Sequence, residues 1–495
     1  MAAKIGWIHG ESRAYIDSME NVEQLYRKAL ETSFQSALRY VKSLDQAGIA
    51  PTIDVATLRG RLKKPLTKEG IPPETVIEEL VRDVDGGIMG SAGGRFFGWV
   101  IGGSVPAALA ADWLASAWDQ NAGIFASAPA AALVEEVAGG WLKEILGLPQ
   151  EASFAFVTGC QMAHATCLAA ARHGLLARRG WDVERRGLFG APRIRIITSD
   201  HRHGTFERAV RLLGLGLSQI TLLDSDAHGA LRAEDLKKAL KEDPEAPTIV
   251  LLQAGDVNTG AYDSFETLIP IAKNYHAWVH VDGAFGLWAA ASPRYRHLVK
   301  GVDAADSWAT DAHKWLNVPY DCGCAFVRDG EAHSASMSHR ESYLIQAADA
   351  RDQMDWNPEW SRRARGFPTY AALRQLGRDG VTALVDDCCR HAHALVTKIG
   401  ELPGAEVVSV PVINQGLVRF WDPRPGAAEQ DHARRTDEVI AAVNASGEAF
   451  FGGTTWRGRR AMRVSVSGWQ TTDADVARVV NSVAQALGKC ELQPV

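Results

Sequence analysis

FAFVTGCQMAHATCLAAARHGLLARR, residues 154–179, changes its pattern part-way along. Residues 154–157 form a short apolar run of strand character, residues 158–161 a small polar turn, and a helix is expected from about Met162 onward. The first amides of a helix have no intrahelical acceptor, so a strand–turn–helix unit of this kind can hold an anion there. Gly159 lets an oxygen-rich group approach the backbone.

The same alternation continues on both sides. RIRIIT precedes Ser199, TIVLLQ precedes Ala254, WVHV precedes Asp282 and CAFV precedes Arg328, with helical segments between them. This predicts an α/β fold with a mainly parallel sheet covered by helices on both faces. Ligands of such sheets sit beyond the carboxyl ends of the strands. Three parts are expected: an amino-terminal arm and helical segment (1–103), a large domain (104–380) and a small α+β domain (381–495). Within the first part, residues 18–42 are helix-permissive and residues 51–73 are punctuated by proline. The glycine-rich stretch 86–103 carries Phe96, Phe97 and Trp99 as candidate walls of a pocket.

Composition narrows the function. The chain has 495 residues, 46% hydrophobic and 23% charged, with 53 Lys and Arg against 59 Asp and Glu, a net charge of −6. No basic surface recommends nucleic acid, so a small-molecule substrate is expected. Seven cysteines without zinc-type spacing suggest a reducing cytoplasm and no metal centre. No apolar segment predicts export or a membrane span.

Four elements carry the chemistry. Asp282 ends the strand WVHV, where an acid is costly to bury unless it meets a cation or a proton. Lys314 lies in TDAHKWLNVPYDCG, residues 310–323. An amine that attacks a carbonyl needs its basicity lowered, by desolvation or by nearby positive charge. SDHRHGTFERA, residues 199–209, places His201 and His203 after another strand. The turn at 158–161 is the fourth. Together they describe one ligand, pyridoxal 5′-phosphate (PLP): phosphate on the turn, ring nitrogen facing Asp282, aldehyde carbon at Lys314 and a histidine over the ring.

These motifs, with GRFFGW from Gly94, QAGDVNTGAYDSFETL from Gln253, HVDGAFG, DAADSWATDAHKWLNVPYDCG and SRRARGFPTYAALRQLG, resemble the group II PLP-dependent amino-acid decarboxylases over most of residues 90–380. The resemblance implies a type I PLP fold like that of aspartate aminotransferase, with a seven-stranded sheet, and a homodimer with its active site at the interface. It implies that Lys314 carries the covalent link, Asp282 pairs with the pyridine nitrogen, Ala284 packs under the ring and His203 stacks over it. Gly159, Cys160, Gln161 and His313 fall where the family holds phosphate, and Thr310 is a further candidate. For the substrate pocket, Phe97, Trp99, Gly102 with Gly103, Asn121 and Trp356 are candidates, and small residues at 102 and 103 leave room for a large side chain. The reaction implied is decarboxylation of an L-amino acid, aromatic or otherwise large, to the amine and CO₂.

Two departures stand out. The loop at 344–366 has no tyrosine, where the family commonly places one for the final protonation, and Gln353 or Met354 takes that place. His203, Tyr343 or a residue of the neighbouring subunit is then the alternative donor, or oxygen intervenes and an aldehyde is formed. Asp311 stands where relatives often have Asn or Ser, and an ionised carboxylate cannot donate to phosphate. Arg362 and Arg363 are either carboxylate ligands or structural. Rival readings are an aminotransferase or carbon–carbon lyase, with Arg463 on the substrate carboxylate, and a cofactor-free scaffold or binding protein.

Overall fold

The computed structural model describes residues 22–339 and 350–491. Seven strands form the main sheet: β1 (Ser153–Val157), β2 (Arg195–Ser199), β3 (Ile220–Leu223), β4 (Thr248–Gln253), β5 (Trp278–Asp282), β6 (Ser307–Asp311) and β7 (Gly323–Val327). Their order is β1-β7-β6-β5-β4-β2-β3, and only β7 runs antiparallel to its neighbours. The mainly parallel sheet expected from the alternating runs is therefore present, with the seven strands that the family resemblance implies.

Continuous apolar runs become strands buried on both faces. β4 to β7 are buried at every position. Successive side chains go to opposite layers: Val250, Leu252, Val279 and Val281 join one core, whereas Ile249, Leu251 and Trp278 join the other. A second, antiparallel sheet follows in the order β10-β11-β9-β8, built from β8 (Ala405–Ser409), β9 (Gln415–Phe420), β10 (Gly452–Trp456) and β11 (Arg459–Ser465).

Among the helices, α1 (Val22–Ser43) forms the arm, α2 (Pro129–Leu146) precedes β1, α3 (Cys160–Ala177) follows it and α4 (Gly204–Leu212) follows β2. A long segment, α5 (Gly366–Gly400), broken at Gly377, packs against both α2 and the second sheet.

Arg362 and Arg363 turn out to be structural. Arg362 Nη1 is 2.7 Å from Glu135 Oε2 with both side chains wholly buried, and its guanidinium also donates to the Ala122 and Phe156 carbonyls. Arg363 pairs with Asp112 at 2.7 Å. Removing one partner of a buried pair strands the other charge, so Glu135→Ala is expected to cost about 3–5 kcal/mol of stability. Chemical denaturation of wild type and variant measures it.

Candidate functional site

The parallel strands deliver Asp282, Asp311 and the 158–161 turn to the same edge of the sheet. β7 starts there too, and at Gly323 a Cβ would lie 2.5 Å from the Gly159 backbone, so only glycine lets the turn sit this close.

Asp282 ends β5 and is 6% exposed. Its Oδ1 accepts the Ala284 N–H at 3.1 Å, and its Oδ2 lies 3.4 Å from His164 Nε2. Burial opposes its charge, but His164, with His203 and Lys314 behind it, outweighs burial and holds the carboxyl well below the usual range.

Lys314 Nζ is 2.9 Å from Asp311 Oδ2. The other Asp311 oxygen accepts the N–H of Cys160, the first residue of α3, at 2.6 Å. One carboxylate thus ties the lysine to the helix amino end. Burial pushes the Lys314 ammonium down, but the carboxylates of Asp311 and Asp282 push it further up, above its ordinary value. The sequence expectation of a weakened base is therefore corrected for this state. A proton acceptor stands hydrogen-bonded to the amine instead.

His313 Nδ1 accepts the Cys322 N–H at 3.1 Å, which leaves the proton on Nε2, and that nitrogen lies 3.6 Å from Asp311 Oδ1. Its ring stacks on Tyr320 with centroids 4.3 Å apart, and a Cβ at Gly159 would lie 3.2 Å from it. His203 caps α4: its Nδ1 accepts the Thr205 N–H at 3.3 Å, so Nε2 carries the proton. The ring keeps an exposed face in its recess, and desolvation there lowers its pKa, so the neutral form prevails at pH 7.

Several sequence-derived candidates are enclosed, committed to other contacts or lie elsewhere. Thr310 is fully enclosed, on the opposite side of β6 from Asp311, and its hydroxyl has no hydrogen-bond partner, so it is closed to a phosphate. Cys160 is buried, with its amide committed to Asp311 and its thiol 3.5 Å from His164. Gly102 leaves no room for a substrate: a Cβ there would lie 2.4 Å from the Lys314 carbonyl. Phe97 is completely buried, stacked on Phe451 at 5.3 Å, and walls no open pocket. Trp99 packs at 4.9 Å on Phe450 and retains an exposed face. Asn121 Oδ1 accepts the Arg362 N–H at 3.1 Å, a structural contact. Trp356 lies by Gly330 and under His333, near Ser153, at the end of β1 away from the turn. Gln353 and Met354 are buried, bonded to the carbonyls of Ala132 and Gly123, and neither is placed to deliver a proton. Residues 350–366 contain no tyrosine, and Tyr343 lies outside the described residues.

The sequence reading missed Asn317. This wholly buried residue adopts φ +56°, and its side-chain amide donates to the carbonyls of Lys314 and Ser467, fixing the lysine's backbone. Asparagine tolerates such backbone angles better than most residues, which was the available signal.

The donor set fits PLP. A buried carboxylate (Asp282) and an amine (Lys314) stand at the strand ends near the amino end of α3 and His313, the kinds of group that a pyridinium, an aldehyde and a phosphate would need. The family model described as "Pyridoxal-dependent decarboxylase conserved domain" matches residues 59–422. The chain belongs to this family of pyridoxal-dependent decarboxylases. The decarboxylase is 26% identical to an aromatic-L-amino-acid decarboxylase of Bacillus atrophaeus over 94% of its own length and 95% of the relative's. It is 28% identical to tryptophan decarboxylase 1 of Oryza sativa subsp. japonica, covering 86% and 87%, and 26% identical to a 4-hydroxyphenylacetaldehyde synthase of Rhodiola rosea, covering 84% and 85%. The solved structure of Oryza sativa TDC with PLP and tryptamine shares the fold, with a TM-score of 0.87 at 24% identity over 96% of this chain and 99% of that one. The type I PLP fold is thus established. The cofactor of the decarboxylase is PLP and its reaction is amino-acid decarboxylation.

Proposed function

We propose that the protein decarboxylates an aromatic L-amino acid, with Lys314 holding the cofactor aldehyde through a carbon–nitrogen bond and Asp282 opposite the pyridine nitrogen. The observation that carries this reading is the juxtaposition of the Lys314 amine, hydrogen-bonded to Asp311, with the buried Asp282 carboxylate at one end of the sheet. PLP, when bound, accepts the electron pair left by the departing CO₂.

The chain's own groups do the rest. Asp282 keeps a full negative charge where the ring nitrogen has to stay protonated, and does so in a closed site where such a charge acts strongly. Asp311 takes the proton that Lys314 must lose before its nitrogen can bond to carbon. The neutral His203 presents an N–H over the ring, and the Gln161 turn and His313 hold the phosphate. Arg463, partly buried on β11 and close enough for its charge to lower the pKa of His203, is a candidate anchor for the substrate carboxylate.

An aromatic substrate is supported by relatives named as aromatic-amino-acid, tryptophan and tyrosine/DOPA decarboxylases. Homodimerisation is supported by α1, where Val22, Tyr26, Leu30, Phe34, Leu38 and Val41 form an exposed apolar stripe. Among the described residues six cysteines are buried free thiols, which suits a cytoplasmic setting. No helix among the described residues is long and apolar enough to cross a membrane.

A second reading, oxidative release of an aldehyde, is favoured by the lack of a tyrosine in residues 350–366 and by relatives named as aldehyde synthases. It consumes O₂ and water and yields aldehyde, CO₂, ammonia and H₂O₂. A panel of the twenty amino acids and DOPA, scored for all these products and for amine, separates the two. The expected result is highest kcat/KM on an aromatic amino acid, with amine equal to CO₂ and no peroxide. Peroxide and aldehyde equal to CO₂ would establish the oxidative reaction, and preference for a small or acidic amino acid would refute the aromatic assignment.

A further inference from the structure

Behind Asp282 lies a chain of buried polar groups. His164 Nε2 faces Asp282 Oδ2 at 3.4 Å, and its Nδ1 is 2.8 Å from His280 Nε2. His280 Nδ1 is 2.9 Å from Ser307 Oγ, which also receives the Trp278 indole N–H at 2.9 Å. His164, His280 and Ser307 are all fully buried, and Phe206 lies edge-on to the first ring and stacked on the second. Cys160 also lies against both His164 and Asp282, with its sulfur 3.5 Å from His164 Nε2 and 3.9 Å from Asp282 Oδ1. Burial raises that thiol well above its ordinary value, so it stays neutral.

We propose that His164 is a positioning residue for the decarboxylation, supplying Asp282 with an N–H whose direction is set by His280 and Ser307. The inference rests on Asp282 pairing with the pyridine nitrogen.

The hydrogen-bond inventory makes the relay self-consistent. A carboxylate only accepts, so Nε2 of His164 carries a proton. In a neutral His164, Nδ1 then accepts, His280 Nε2 donates, and His280 Nδ1 accepts from the Ser307 hydroxyl, so every proton points toward Asp282. If His164 is doubly protonated, reversing the His280 tautomer and the serine hydroxyl preserves the contacts. Burial, reinforced by the charge of His164, pushes His280 down to about 3, so it stays neutral and can serve either direction. Two histidines filling space would need neither the 2.8 Å contact between them nor a ring nitrogen facing the acid. His164 also lies one turn from Cys160 on α3, so one helix both borders the phosphate turn and orients the acid.

Asn and Gln dissect the ring, because the Asn amide reaches the Nδ1 position and the Gln amide the Nε2 position. With PLP-loaded protein, His164→Asn is expected to lower kcat on the order of 10- to 100-fold, the scale of one charge-assisted hydrogen bond, with KM little changed. PLP dissociation, followed by fluorescence, is expected to be several-fold tighter in wild type than in this variant, and the absorbance spectrum of the bound cofactor is expected to change. His164→Gln, which restores a donor to Asp282, is expected to recover most of the kcat loss. Ser307→Ala, at the far end, shifts the same quantities in the same direction by a few-fold and carries the test if His164→Asn does not fold. Unchanged kcat, PLP affinity and spectrum in His164→Asn, or in Ser307→Ala in its stead, would overturn the relay. Asp282→Asn, measured alongside, separates the two claims: full activity there refutes the pairing with the ring nitrogen, whereas an inactive Asp282→Asn beside a silent His164→Asn refutes the relay alone.

Discussion

The Lys314→Ala protein is expected to fold and yet to form amine at a rate lower by on the order of 10⁴-fold or more, the scale of losing a covalent catalytic group. Lys314 is the amine at the strand ends, and its backbone is fixed by Asn317 from a buried position. Truncating it leaves Asp311 its second partner, the Cys160 N–H at 2.6 Å, so the carboxylate is not stranded and the fold survives. Lys314→Arg is the sharper control. It keeps the positive charge beside Asp311 but offers no amine for a stable carbon–nitrogen bond, and the same loss is expected. Steady-state CO₂ release, with near-native thermal unfolding of both variants, checks this. Substantial turnover by the arginine variant would mean that only the charge matters.

Asp282→Asn is expected to reduce kcat by on the order of 10²- to 10³-fold while the protein keeps its fold. The amide is nearly isosteric and can still accept the Ala284 N–H, so the change removes charge rather than shape. Because His164, with His203 and Lys314, overcomes burial and holds the Asp282 pKa well below its ordinary value, the carboxylate is ionised throughout the neutral range. Stability and activity owed to that charge are therefore present above the ordinary carboxylate pKa and are lost only as pH falls below it, toward the depressed folded value. The wild-type kcat profile should accordingly have no limb between pH 6 and 8 that Asp282→Asn abolishes. A neutral-pH limb that disappears in the variant would place the Asp282 titration in the wrong range.

Much of this was legible in residues alone, for physical reasons. TIVLLQ and WVHV have to be buried on both faces, which makes them inner strands of a parallel sheet, and the polar residue that ends such a strand lies at its ligand-binding edge. Asp282 was singled out in this way, whereas Lys314 was singled out by its place beside His313 in the stretch 310–323. Long-range packing was not legible. The hold of Asp311 on Cys160 depends on β6, β7 and β1 lying side by side, although Cys160 and Asp311 are 151 positions apart in sequence. The contact between His164 and His280 joins residues 116 apart. Gly102 misled because a small residue in sequence looks like space, whereas here the Lys314 carbonyl fills it. Trp356 misled because aromatic character does not tell which end of a strand a loop returns to.

Borohydride reduction of the PLP-loaded protein, followed by proteolysis and mass mapping, tests the central claim most directly. The account predicts a single pyridoxyl adduct, on the peptide that carries Lys314. An actively decarboxylating protein with the adduct on another lysine, or with none at all, would contradict it.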